Sequence, residues 1–442
     1  MFKRKIYDRM LEWKSRSNGR TALLIEGARR VGKSTVVKAF AESEYETHLI
    51  IDFSAAPRYV RELFDDMSDL NFFFLQLQLQ FGVRLIERKS LIVFDEVQLC
   101  PTARQAIKHL VADGRYDYIE TGSLISIKRN TAGILIPSEE EKLQMRPMDF
   151  EEFRWAQGDE STVPLLRQAF EARSPLGDQV NRKLMRDFRL YMLVGGMPQT
   201  VDAYLASNNL REVDAVKRGI ISLYEDDFHK ISPSGAVSML FDAIPSQLAR
   251  KATRYSVSSV IASARASTIQ KEISELVESK TALIAYHAND PNAGMSSSID
   301  LQKFKLYLAD TGLFVTLSFK DRDFTENVIY QQLLSDKLPV NLGAVYENVV
   351  AQELVAHGDG LFYHTWKKEG SHRSYEIDFV LARGKKVVPV EVKSSSYASH
   401  PSLDDFQRKY SSRVGERYLV YTKDLKRDGD VTCIPTYLAS CL

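Results

Sequence analysis

Gly27-Ala28-Arg29-Arg30-Val31-Gly32-Lys33-Ser34 follows the apolar run Ala22-Leu23-Leu24-Ile25-Glu26 and leads into the helical pattern Thr35-Val36-Val37-Lys38-Ala39-Phe40. Gly-x4-Gly-Lys-Ser arises by chance in about 1–2% of chains this long. It demands a strand, a tight loop and a helix in that order. The two glycines let the backbone wrap so that successive N–H groups face one point at a helix N-terminus, where they bind phosphate. The cradle predicted is Gly27, Ala28, Arg29, Arg30, Val31, Gly32, Lys33, Ser34 and Thr35. Lys33 is expected to reach the β- and γ-phosphates of a triphosphate, and the Ser34 hydroxyl to ligate Mg²⁺. Arg29 and Arg30 either add positive potential at the loop or stand in solvent.

A phosphate loop needs a carboxylate for the metal. Leu91-Ile92-Val93-Phe94-Asp95-Glu96 ends four apolar residues in two acids, as at the carboxyl end of a buried parallel strand, where doubly wound sheets bind ligands. Asp95 is assigned to the Mg²⁺ shell and Glu96 to orienting or deprotonating the attacking water. Tyr116–Glu120 reads as the next strand, followed by Thr121-Gly122-Ser123. Ser123 or Thr121 either senses the γ-phosphate or caps the following helix. With a further strand at His48–Phe53, these alternating patterns predict an α/β domain with a mainly parallel sheet. Phe74–Phe81 alternates like a strand, but Phe72, Leu75 and Leu79, and likewise Phe73 and Leu77, also fit helical spacing. A crossover is required before Leu91, so a helix is predicted there.

At 442 residues, 44% hydrophobic and 26% charged, the chain can bury a large core and exceeds one compact domain. Its net charge of +1 generates no global field toward DNA or anionic lipid. Three cysteines, Cys100, Cys433 and Cys441, form no CxxC pair or disulfide framework, which fits a reducing cytoplasm. No apolar signal segment is read in Met1–Asp8. The longest uncharged run, Leu70–Val83, is too short to span a bilayer. A cytoplasmic protein without membrane contact is expected.

Residues 157–230 carry helical patterns interrupted by Gly195-Gly196-Met197-Pro198. From Pro233 to Phe319, helices precede a hairpin (Thr281–His287 and Phe304–Ala309), the order of a winged-helix module. Its recognition helix would be Thr268–Glu278, which holds one lysine and three glutamates and offers phosphate a poor surface. Arg250, Lys251, Arg254 and Arg265 flank it. An interdomain structural role is favoured over DNA reading. Glu225-Asp226-Asp227 and His229 read as a solvated helix end rather than a metal site.

Toward the C-terminus a helix (Ala344–Ala356) precedes strands Phe362–Trp366, Tyr375–Leu381 and Val387–Lys393, a helix near Leu403–Tyr410 and a strand Arg417–Thr422. A Gly384-Lys385 turn suits a type II′ hairpin. That register sets Asp378 opposite Glu391 and Glu376 opposite Lys393. Opposed carboxylates repel unless a divalent cation lies between them, and Lys393 beside it would steady charge on a phosphate. Lys367, Lys368, Arg373, Arg383, Lys385 and Lys386 surround the hairpin and could meet a nucleic-acid backbone.

Gly27–Ser34, Asp95-Glu96-Val97-Gln98 and Thr121-Gly122-Ser123, with Arg146-Pro147-Met148-Asp149-Phe150-Glu151-Glu152-Phe153, Gly195–Pro198 and Phe304–Leu313, resemble in order the prokaryotic AAA-type ATPases whose C-terminal domain is catalogued as one of unknown function. The resemblance implies a P-loop ATPase core over 1–155, a helical lid over 156–232, a winged-helix module over 233–322 and a restriction-endonuclease-like domain over 323–442. Gly133–Met145 lacks the family's usual Gly-Arg pair, which leaves Arg146 as the nearest candidate for a cis-acting arginine. Asp378 and Glu391-Val392-Lys393 are similar to the PD-(D/E)xK nuclease superfamily, with Glu347 as an outer ligand. The implied cofactors are ATP and Mg²⁺, with a second Mg²⁺ or Mn²⁺ in the C-terminal domain. The implied partners are ATP, DNA through that domain, and a second copy of the chain as a homo-oligomer. A rival from another class is a slow ATP-gated switch whose C-terminal domain binds a protein. An ATP-dependent helicase is disfavoured, because no aromatic-and-basic single-strand channel is visible. Tyr7, Leu11 or Trp13 are the candidates for the base pocket.

Overall fold

A computed structural model of the chain describes residues 1–122, 138–250, 252–322, 327–335, 343–395 and 397–442. They fall into two compact units, Met1–Arg146 with Glu278–Lys280, and Pro147–Val277 with Thr281–Leu442. Ser123 and Lys251 lie outside the described residues.

The first unit is an α/β fold. Five strands, β1 (Ala22–Glu26), β2 (Thr47–Asp52), β3 (Ser90–Asp95), β4 (Asp117–Gly122) and β5 (Glu140–Gln144), form one sheet in the order β2-β3-β4-β1-β5. Every pairing is parallel, so all five carboxyl ends meet along one edge. Strands buried on both faces must be apolar throughout, and β1 is buried at every residue. One face carries Leu23, Ile25, Leu91, Val93 and Ile119 against the helices Lys5–Ser17 and Lys33–Glu44. The other carries Leu24, Ile92, Phe94 and Tyr118 against Pro101–Asp113.

Leu70–Phe81 is a helix, as the crossover argument requires. Asp69 caps it by accepting from Asn71 and Phe72 N–H, and Phe73, Phe74 and Leu77 face the core. The polar strand β5 carried no hydrophobic signal. It is held at the edge by a buried ion pair: the Arg104 guanidinium donates to both Glu140 carboxylate oxygens at 3.0–3.2 Å. Glu120 on β4 lies beside Glu140. Burial, reinforced by that neighbouring carboxylate, pushes its carboxyl well above the ordinary range.

The second unit opens with helices, from Phe150–Ala156 through Asp178–Val194 and Leu210–Ile231 to Ala236–Ala249. The helix Gln270–Glu278 then leads to the antiparallel pair β6 (Ala282–Ala288) and β7 (Ile299–Leu308). Strands β8 (Leu361–Lys367) and β9 (Ser374–Ile377) extend that pair into a sheet ordered β7-β6-β8-β9. A second sheet, β10-β11-β12-β14-β13, uses β10 (Phe379–Arg383), β11 (Lys386–Val392), β12 (Arg417–Tyr421), β13 (Lys426–Asp428) and β14 (Val431–Pro435). The run Tyr375–Leu381, read as one strand, divides at Asp378: its first half pairs with β8 and its second with β11.

Three motifs that looked functional converge here on one packing point. The Gly196 N–H donates to Asp310 Oδ2 at 2.6 Å, while Asp310 Oδ1 caps the helix Thr311–Leu317 by accepting from Leu313 N–H. Met148 N–H donates to the Gly196 carbonyl. A Cβ on Gly196 would lie 2.0 Å from the Met148 carbonyl, and one on Gly312 2.6 Å from Gly195 Cα. Only glycine permits such backbone contact. The Pro147–Phe153, Gly195–Pro198 and Asp310–Leu313 motifs therefore hold this unit together.

His364 on β8 makes the same unit acid-sensitive. Its Nδ1–H donates to the Ala288 carbonyl at 2.7 Å, and its Nε2 lies 2.9 Å from the Tyr410 hydroxyl. Burial pushes the imidazole down to about 4, against about 6.5 in an unfolded chain. Between these values the unfolded chain binds the extra proton, so stability falls as pH falls from 6.5 to 4 and is complete above 6.5. The loss expected from this residue is about 3 kcal/mol. Urea denaturation at pH 7, 5.5 and 4 checks it, with His364→Gln expected to flatten the slope.

Candidate functional site

The loop after β1 has the conformation its glycines predict. Gly32 takes φ 100° immediately before the helix Lys33–Glu44, a left-handed value costly for any side chain. Gly27 is needed for space: a Cβ there would lie 2.3 Å from the Met145 carbonyl. Arg30 also sits in the left-handed region, at φ 67°. The first N–H groups of the helix have no intrahelical acceptor and face the loop mouth. Lys33 folds over the loop, its Nζ donating to the carbonyls of Gly27 at 3.1 Å and Ala28 at 3.0 Å. Burial lowers its amine below the usual lysine range, opposed by Glu96 and Asp95 and assisted by Arg29. Arg29 and Arg30 are exposed, and the charge of Arg29 is felt at Lys33.

The acid edge sits beside this loop. Ser34 Oγ donates to Asp95 Oδ1 at 2.8 Å, and the Thr121 hydroxyl donates to the same oxygen. Thr121 Oγ1 also accepts from Glu96 N–H at 3.2 Å. The end of β3 and the end of β4 thus converge on the first turn of the helix. Thr121 is the last-but-one residue of its strand rather than a helix cap. Glu96 follows in the left-handed region at φ 54°, where Gln98 Nε2 donates to its carboxylate. That turn lifts the Glu96 side chain out of the strand pleat.

One residue near the loop, Arg4, carried no motif. The buried Arg4 donates to the Val31 carbonyl in the loop at 3.1 Å and to the Arg146 carbonyl. It ties the loop to the segment after β5, which also binds back through Met145 N–H to the Glu26 carbonyl. One basic residue within Lys3-Arg4-Lys5 gives no sequence signal for such a part. Arg146 donates to Gln144 Oε1 at 2.9 Å, and burial pushes its guanidinium down to about 10. Of the base-pocket candidates, Trp13 is buried, with its indole N–H on Thr21. Tyr7 donates to Glu44 and packs edge-on against Phe40, and Leu11 is exposed.

The second cluster of acids is arranged differently from the expectation. The β10–β11 register is the predicted one, with Phe379 opposite Val390 and Arg383 opposite Lys386. Glu376, however, lies opposite Thr365, not Lys393, because the chain changes sheets at Asp378. Asp378 Oδ2 accepts from Val392 N–H at 2.7 Å, and burial, then Glu347, raises its carboxyl well above the ordinary range. Glu391 pairs with Lys393 at 3.2 Å. Glu347 accepts from Lys305 Nζ at 3.0 Å and from the Tyr307 hydroxyl at 2.6 Å, and Lys305 also holds Glu376. Burial opposes the Lys305 ammonium, but Glu347, Tyr307 and Glu376 outweigh it and keep it charged. Asp378, Glu391 and Glu347 thus each take a separate partner: Val392 N–H, Lys393 and Lys305. Among the described residues no group of three His, Cys, Asp or Glu side chains could hold a metal ion. Lys305, on a strand read only as part of a wing, is the counter-ion sequence reasoning missed. Among the described residues no helix is long and apolar enough to cross a membrane.

Residues 19–154 match a family model described as an AAA domain. Residues 185–323 and 342–438 match two domains of unknown function, DUF8612 and DUF4143. No curated protein matches. Among solved structures, the Walker-type ATPase PABY2304 of Pyrococcus abyssi is 17% identical, with 72% of this chain and 96% of that one covered at a TM-score of 0.43. The Orc1 protein of Aeropyrum pernix, solved in complex with DNA, is 13% identical, with 76% and 93% covered at a TM-score of 0.27. Likenesses at this level carry no argument about function. What the AAA match covers is the stretch that builds the parallel sheet and its phosphate loop, so this stretch is similar to an AAA domain and its fold fits a P-loop core.

Proposed function

We propose that this chain hydrolyses ATP with Mg²⁺ and uses the cycle to rearrange a helical lid (156–232) and a winged-helix module (233–322) relative to a nuclease-like, DNA-interacting domain (323–442). The observation that carries the ATPase half is the convergence of Lys33, Ser34, Asp95, Glu96 and Thr121 at one sheet edge, where Ser34 and Asp95 already touch. The donors suit a triphosphate and its metal: backbone N–H groups and an amine for phosphate oxygens, a hydroxyl and a carboxylate for Mg²⁺. Lys33 exchanges the Gly27 and Ala28 carbonyls for phosphate oxygens. Ser34 and Asp95 hold the metal, which neutralises charge on the phosphates when bound. Glu96 orients the attacking water and accepts its proton. Thr121, with Ser123, senses the γ-phosphate through its bond to Asp95.

A second reading is favoured by one observation. Lys305 places an ammonium between Glu347 and Glu376, where a nuclease would use carboxylates for metal. Under it the C-terminal domain binds a protein partner without cutting, and the ATPase acts as a slow gate. The ATPase rate with and without single-stranded, duplex and branched DNA separates the two. Stimulation of several-fold, with cleavage in Mg²⁺ or Mn²⁺ that Asp378→Ala abolishes, supports the first. A slow rate indifferent to DNA, no cleavage, and no change in DNA or metal binding on Asp378→Ala favours the second.

A further inference from the structure

In the second unit, the segment from Arg254 to Ala266 and the β7 residue Gln302 enclose an open cavity of about 600 Å³. Its wall carries the guanidinium groups of Arg254 and Arg265, the hydroxyls of Ser256, Ser258 and Ser263, and the Gln302 amide, with no carboxylate. Both arginines are exposed, and neither guanidinium has a hydrogen-bond or ion-pair partner among the described residues. Elsewhere in this unit Arg154, Arg167, Arg383 and Arg413 each hold an acid. The wall is braced from behind. Tyr255 stacks on Phe304 and donates to the Leu240 carbonyl. Gln247 accepts from Ser256 N–H and donates to Ser259. Ser263 holds φ 61°, a strained value for serine.

We propose that this cavity binds the phosphoryl group of a nucleotide, free or within a nucleic-acid strand. Two planar guanidinium forks pair bidentately with phosphate oxygens, and three hydroxyls and an amide add donors beyond what the two oxygens of a carboxylate could use. The volume lies in the range of ligand sites, roughly 300–1,000 Å³, and so leaves room for what the phosphate is attached to. The site shares no residue with the loop at Gly27–Ser34, so the proposal does not depend on ATP hydrolysis.

The test is fluorescence anisotropy of labelled single-stranded and duplex oligonucleotides, without ATP, on the full chain between 50 and 200 mM salt. Arg254→Ala/Arg265→Ala is expected to weaken binding about tenfold and to lower the salt slope by roughly 1.5–2. Its thermal midpoint is expected to match wild type, as neither side chain has a partner to lose. Arg254→Lys/Arg265→Lys is expected to recover part of the affinity. Arg182→Ala/Lys183→Ala, which removes two exposed charges elsewhere, is expected to change nothing. Calorimetric titration of inorganic phosphate and ADP into Lys33→Ala protein, with and without the two arginines, reads the free source. Loss there alone assigns the site to a small phosphorylated molecule. Wild-type binding of every probe by the double alanine variant, or an equal loss in the Arg182/Lys183 control, overturns the proposal and leaves the ATPase reading untouched.

Discussion

Lys33→Ala is expected to weaken ATP binding by about 10–100-fold and to cut hydrolysis by roughly 10³-fold, measured by calorimetric titration and phosphate release. Lys33 is buried beneath the loop, and its Nζ donates to the Gly27 and Ala28 carbonyls. Those neutral acceptors leave the ammonium poorly compensated, which is why burial lowers its pKa. A triphosphate would supply the missing negative charge. Removing the amine therefore deletes a charge–charge contact made in a water-poor pocket, where it is worth most. The fold should survive, since the loop's shape rests on Gly27, Gly32 and the Arg4 bond to Val31 rather than on the lysine. Unchanged ATP affinity in a variant with a wild-type melting curve would end the phosphate-loop assignment.

Glu96→Gln is expected to separate binding from turnover. Affinity for ATP with Mg²⁺ should stay within about threefold of wild type, while the hydrolysis rate falls by roughly 10²–10⁴-fold. The amide keeps the size and the local polarity at φ 54° but cannot take a proton from water. Asp95 keeps its bonds to Ser34 and Thr121, so the metal ligands are undisturbed. Single-turnover phosphate release beside equilibrium nucleotide binding makes the comparison. If hydrolysis persists within tenfold of wild type, Glu96 is not the base and the proton leaves by another route.

Much of the first unit was legible because each of its features is local. Four apolar residues before Glu26-Gly27 and four before Asp95 are enough to mark buried parallel strands. The Gly-x4-Gly-Lys-Ser spacing is a backbone requirement that any occupant of that turn must meet. The polar strand β5 was not legible: its place in the sheet depends on Arg104, thirty-six residues away, which pairs with Glu140. Arg4 was missed for the same reason, because nothing near it in sequence announces the Val31 carbonyl. In the C-terminal part the hairpin register followed from the Gly384-Lys385 turn and alternation. The change of sheets at Asp378 did not, since one residue's break in pairing leaves the periodicity on either side intact. The Gly195-Gly196 and Asp310–Leu313 motifs could be recognised as motifs, yet their meaning as a packing point came only from seeing them touch.

Sequence alone determined that a strand, a glycine loop and a helix would form a phosphate cradle, with acids one strand away, because steric and hydrogen-bonding demands there act over a few bonds. The tertiary structure decided which charges face one another. Lys305 between Glu347 and Glu376, Arg104 on Glu140, and two arginines left without acids at one cavity are products of long-range chain paths. Electrostatic partnership depends on distances of a few ångströms in space, and sequence separation places almost no limit on those.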